Sequence, residues 1–166
     1  MDHSGSIAIF AVCSMTPFLK NDLAARGYVL LPAHAPKMDT ITIATEIGEA
    51  ITPWERGLIQ TLVPRASATP NTYSGTYGLG SFPFHTDLAH WRQPPRFLLL
   101  RCITGYVDVQ TLLIDGHALA ESVTTNLLGR AVVKPRRPQS GAISLFRLWE
   151  AIDNDNYRLR WDGMFL

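Results

Sequence analysis

The sequence predicts a β-rich α+β fold, on three observations. Short apolar runs bounded by Pro and Gly recur along the chain and read as strands. Three stretches read as helices from apolar residues at i, i+4 together with start or stop residues. The composition, 46% hydrophobic and 17% charged, is that of a chain able to bury a core. At 166 residues, one domain spanning residues 1–166 is expected.

The elements follow in order. Residues 1–6 are polar and Gly/Ser-containing, and are expected to fray. Residues 17–26 read as a helix that Thr16 can cap, with Pro17 at its first position, Leu19 and Leu23 four apart, and Gly27 at its end. Tyr28-Val29-Leu30-Leu31 reads as a short buried strand stopped by Pro32. A second helix is expected over residues 39–50, with Ile43 and Ile47 on one face. Residues 58–63 read as a strand, and residues 66–80 as a Ser/Thr/Gly/Pro-rich loop carrying Tyr73 and Tyr77. A long loop of this kind is suited to forming a substrate wall or lid, or a surface connection with aromatic anchors.

Residues 97–102 and 110–114 read as two strands of a hairpin joined through Thr104-Gly105-Tyr106. Asp115 is placed to cap a helix over residues 117–128, with Leu119, Val123 and Leu127 on one face and Gly129 as its stop. A short strand over residues 131–133 follows. The chain then ends in a hairpin of residues 143–149 and 157–161, turning on Asp153-Asn154-Asp155-Asn156.

Charge and cysteines narrow the function classes. A net charge of +1 gives no electrostatic case for nucleic acid or an anionic membrane surface. No apolar run approaches the ~18 residues of a membrane helix. The apolar run Ile7 to Val12 lacks a basic region before it, so no signal peptide is expected. Cys13 and Cys102 do not make a disulfide framework, and Cys102 in its apolar run reads as a buried thiol. A cytoplasmic location is the expectation.

The chemistry concentrates at His85-Thr86-Asp87. Side chains two apart on an extended backbone project to one side, so this imidazole and carboxylate can grip one metal ion. Nitrogen and oxygen donors suit Fe(II), and the same pair can hold Zn(II), Mn(II) or Co(II). Standing alone, each residue reads more simply, as a satisfied histidine and a turn aspartate.

The surrounding residues make the pattern more specific. Phe82-Pro83-Phe84-His85-Thr86-Asp87-Leu88 is followed by Pro94-Pro95-Arg96-Phe97-Leu98-Leu99-Leu100 and by Thr111-Leu112-Leu113-Ile114-Asp115-Gly116. Over these forty or so residues the chain resembles the TauD/TfdA (taurine dioxygenase-like) family of Fe(II)- and 2-oxoglutarate-dependent dioxygenases. The resemblance implies a double-stranded β-helix, a jelly-roll related to cupins, with N-terminal helices packed outside it. It implies His85 and Asp87 as metal ligands and catalytic residues. It further implies Thr111 as a hydroxyl donor to 2-oxoglutarate, and Ser81 as a residue facing the substrate, with Tyr77 on the neighbouring loop. Fe(II) and 2-oxoglutarate would be cofactor and cosubstrate, and O2 and a small molecule the other partners. The implied reaction couples decarboxylation of 2-oxoglutarate to succinate with hydroxylation of an unactivated C–H bond.

The family pattern also has a distal histidine followed by an arginine, and here the last histidine is His117, directly after the Thr111 segment. The chain therefore reads as a family domain without its closing strands. An incomplete barrel exposes sheet edges, which invites homo-oligomers. Arg158 or Arg160 as a substitute anchor, and His34 or His90 as a third ligand, are weaker expectations. Besides the dioxygenase, two other readings stay open: a catalytically inactive binding or oligomeric module, and a cupin-like isomerase or hydrolase working with two ligands and water.

Overall fold

The structure is a computed structural model, describing residues 5–11, 17–51, 57–136, 144–154, 156–164 and 166. It divides into two compact units, one over Met1–Pro64 and Pro95–Gln110, the other over Arg65–Pro94 and Thr111–Leu166.

The first unit is a sheet with two helices. Its middle strand is β1 (Gly5–Ala11), which pairs antiparallel with β4 (Phe97–Cys102) from Gly5↔Cys102 to Phe10↔Phe97. Along its other side β1 takes two short strands in succession. β3 (Ile59–Leu62) lies against Gly5 to Ala8, and β2 (Glu49–Ala50) against Phe10 and Ala11. Helix α1 (Pro17–Arg26) stops at Gly27, whose φ of +76° is a conformation glycine adopts without penalty. Helix α2 (Thr40–Ile47) starts at Asp39, whose carboxylate accepts the Thr42 N–H at 2.9 Å. Ile43 and Ala44 of α2 are buried, and Ala50, Ile59 and Leu99 pack against Ala44. Arg101 of β4 donates to the carbonyls of Met38 (2.7 Å) and Pro36 (3.3 Å) and to the Thr40 hydroxyl (3.1 Å), fixing the turn that leads into α2.

The second unit holds the one-turn helix α3 (Tyr73–Thr76), helices α4 (Gly116–Val123) and α5 (Thr125–Arg130), the pair β5 (Val132–Val133) with β6 (Phe146–Arg147), and the hairpin β7 (Trp149–Ala151) with β8 (Tyr157–Leu159). Leu88, Ala89, Ala120, Trp149 and Met164 are its buried apolar residues. Gly75 in α3 lies so close to the Thr69 carbonyl that a Cβ would collide with it.

Several expectations are corrected. Residues 28–31 are not a strand: Tyr28 and Leu30 are exposed and no strand pairs with them among the described residues. Helix α2 ends at Ile47, and Glu49 and Ala50 leave it to pair with β1. Residues 110–114 are exposed and make no hairpin with β4, which instead pairs with β1. The helix expected over 117–128 is two helices, broken at Thr124 (φ +83°), and Gly129 lies inside the second. Cys102, at the end of β4, is exposed. Gly5 and Ser6 are not frayed but lie in the middle strand. Cys13, Thr16, Asp155 and residues 1–4 lie outside the described residues. Among the described residues the sheets do not close into a barrel, and no helix is long and apolar enough to cross a membrane.

Candidate functional site

The segment carrying His85 and Asp87 is held at its middle residue, Thr86. The Thr86 N–H donates to the Trp161 carbonyl at 2.7 Å, and the Trp161 N–H donates back to the Thr86 hydroxyl at 3.0 Å. With Thr86 turned to Trp161, side-chain alternation leaves its two neighbours together on the other side. His85 Nε2 and Asp87 Oδ1 stand 3.7 Å apart, with both side chains partly buried. The next residue, Leu88, has φ of +52° and is buried. A left-handed leucine is uncommon, and it persists only where its surroundings enforce it.

Arg160 supplies part of that enforcement. Its side chain is 1% exposed, and its guanidinium donates to the carbonyls of Ala89 (2.8 Å), Trp91 (2.5 Å) and Arg92 (2.9 Å), directly after the His-Thr-Asp segment. It lies over the Phe146 ring at 4.5 Å, and Glu150 stands 3.9 Å away. Burial, with Arg158 nearby, brings its pKa down to about 10, Glu150 opposing, which leaves the cation intact at neutral pH.

A second contact ties α3, beside His85, to the chain's late residues. The Tyr73 hydroxyl donates to Asp162 Oδ2 at 2.5 Å, and Asp162 is 3% exposed. Burial, followed by the hydrogen bond and charge of Asp162, pushes the Tyr73 phenol far above its ordinary range. Tyr73 also stands beside His85, ring centroids 5.7 Å apart, and Phe82 meets His85 edge-on at 4.8 Å. Tyr77 completes this aromatic wall at 5.7 Å from Phe82.

The imidazole is oriented as a ligand would be. Its Nδ1 lies 3.0 Å from the Pro83 carbonyl, so in the neutral tautomer Nδ1–H donates there and the Nε2 lone pair faces Asp87. The Asp87 carboxylate raises the His85 pKa above its ordinary value. Burial opposes the rise, and the Pro83 carbonyl and Asp162 add to it.

These donors can be tested against a metal. With metal–ligand bonds of about 2.1 Å, adjacent donors lie roughly 3.0 Å apart in an octahedron and roughly 3.4 Å apart in a tetrahedron. The observed 3.7 Å needs only a small side-chain rotation to reach either. The pair therefore fits a two-donor chelate. It does not by itself make a three-donor site: among the described residues no group of three His, Cys, Asp or Glu could hold one ion.

The other expected site residues are placed differently. Tyr77 joins the wall beside His85, whereas Ser81 is exposed. Thr111 is exposed on the extended segment before α4. Asp115 caps α4 through the N–H groups of His117 (2.8 Å) and Ala118 (3.4 Å). Arg158 is paired with Glu150 at 3.2 Å, and Arg160 is committed to the carbonyls of residues 89, 91 and 92. Sequence reasoning missed Tyr73, Arg160 and Asp162 as supports of the His-Thr-Asp segment. The one available signal was the alternation of Arg158, Arg160 and Asp162 with Leu159 and Trp161 through and just after the last strand. Comparison with protein-family models, with curated proteins and with solved structures gives no match.

Proposed function

We propose that this chain carries the His-x-Asp half of a divalent-metal site of an Fe(II)- and 2-oxoglutarate-dependent dioxygenase of the TauD/TfdA kind, acting on a small-molecule substrate. The observation that supports this reading is the convergence of His85 Nε2 and Asp87 Oδ1 at 3.7 Å, with Nδ1 turned to a backbone carbonyl. Bound iron would supply the oxidation of 2-oxoglutarate by O2 and, coupled to it, of a substrate C–H bond. The chain's own part is to hold the ion through His85 and Asp87 and to keep the loop after them rigid through Arg160. Tyr73, Tyr77 and Phe82 cover one flank of His85 against water. The assignment of Thr111 to 2-oxoglutarate, and of Ser81 to substrate, rests on the sequence resemblance.

A second reading has its own observation. Among the described residues no third donor joins the pair, which favours a module that binds a cation without turnover. The outer side of β4 has no partner strand among the described residues, and pairing of copies there suits such a module.

Anaerobic titration with Fe(II) or Mn(II), followed by a succinate assay in air with 2-oxoglutarate, separates the two. The dioxygenase reading expects metal binding lost in His85→Ala, and succinate above that control. Binding without succinate leaves the module. Equal metal binding by the parent chain and His85→Ala would refute both.

A further inference from the structure

A cleft of ≈ 180 Å³ lies in the second unit, lined by His117, Glu121, Thr125, Trp149 and Tyr157. That volume is about six waters. It shares no residue with the His85–Asp87 pair. His117 and Glu121 stand four apart on α4, hence on one face, and Thr125 opens α5. Across from them is the hairpin β7–β8. Trp149 pairs with Leu159 and Ala151 with Tyr157, so Trp149 and Tyr157 are diagonal neighbours on one face of the hairpin. Their rings stack at 5.1 Å and 16°, and His117 meets both at right angles, at 5.3 and 5.5 Å.

Of the ionisable groups that line the cleft, Glu121 is the acid and His117 the base. The faces of indole and phenol rings carry negative quadrupole potential. Glu121 adds a carboxylate that has no ion-pair partner among the described residues, and no lysine or arginine lines the cleft. An anionic ligand would meet the Glu121 carboxylate. His117 and Glu121 belong to no group of three metal donors among the described residues.

We propose that this cleft binds a small organic cation bearing an alkylated ammonium group. Such a group is too large and weakly hydrated to need a shell of oxygen donors. It is attracted to ring faces within about 6 Å, and more strongly when water is excluded. Glu121 supplies the balancing charge, and the Thr125 hydroxyl can accept from a polar tail on the ligand.

The test is a titration of the full chain with choline, followed by backbone-amide NMR, beside its neutral carbon isostere in which tert-butyl replaces trimethylammonium. The expected result is saturable shifts at residues 117–125, 149 and 157, with the isostere about tenfold weaker or worse. Glu121→Gln, at an exposed helix position, is expected to keep the amide spectrum and to weaken choline about tenfold. Tyr157→Leu is expected to weaken it as well, its folding checked in the same spectrum. Equal binding of the isostere, unchanged affinity in Glu121→Gln, or no saturable shift at these residues would overturn the proposal.

Discussion

Replacing Arg160 with methionine removes the group that ties the segment after β8 to the loop after Asp87. Three carbonyls lose their donor: the bond to Ala89 is buried, and those to Trp91 and Arg92 are half-buried. Counting the half-buried pair as one, two buried acceptors are stranded, at about 1–3 kcal/mol each. Loss of the cation over Phe146 adds about 1 kcal/mol. Relief of the desolvation of a buried guanidinium offsets part of this sum. The net expectation is a loss of about 2–4 kcal/mol from the unit that holds His85, a large share of a typical domain stability. Urea unfolding measures the total. Hydrogen exchange at the Thr86 and Trp91 amides, bonded to Trp161 and Leu88, locates it, and both should exchange faster. Arg160→Lys should recover only part, because an ammonium cannot reproduce the planar fork. A loss under about 0.5 kcal/mol with unchanged protection would show that the guanidinium does not hold the loop.

Further outcomes follow from the same contacts. Tyr73→Phe removes the donor to buried Asp162 Oδ2 and should cost about 1–3 kcal/mol in unfolding. In the parent chain the Tyr73 phenol should resist ionisation well above pH 10.0 in an absorbance titration. Because the Tyr73 pKa is raised on folding, its stabilisation is full below pH 10.0 and is lost as pH rises beyond it. His85 is also raised, so in the metal-free chain its contribution is full below pH 6.5 and is lost as pH climbs through the folded pKa. His85→Gln should flatten that part of the melting-temperature profile. Metal affinity should move the opposite way, strengthening as the imidazole loses its proton. Asp115→Ala removes the α4 cap and should cost about 1 kcal/mol, read as a fall in melting temperature.

What was legible in the sequence was local. Asp115 announces its helix because a capping carboxylate acts within three residues, and Asp39, read as the first residue of the second helix, caps it in the same way. Gly27 marks the end of α1, and residues 97–102 are a strand as expected. The His85–Asp87 approach is legible for the same reason, being a matter of two residues. What was not legible depends on distant partners. The run from Ile7 is continuously apolar, so its alternation is hidden, and only its pairing with β3 and β4 makes it the middle strand. Residues 28–31 and 110–114 have strand composition, yet no strand pairs with them among the described residues. The break at Thr124 reflects two β-branched threonines in succession, poor helix formers against an otherwise periodic face. Tyr73 with Asp162, and Arg160 with Ala89, join residues far apart in sequence, and no spacing rule reaches that far.

The route of the backbone has a consequence for synthesis and fragmentation. The chain leaves the first unit after Pro64, returns at Pro95, and leaves again after Gln110. β1, made before β4, therefore waits for its longest partner until Cys102 has emerged, after the whole segment bearing His85 has been made. A nascent chain halted before Pro95 would present an apolar ribbon with one flank bare. No single cut can yield either half as one unbroken polypeptide free of the other's residues.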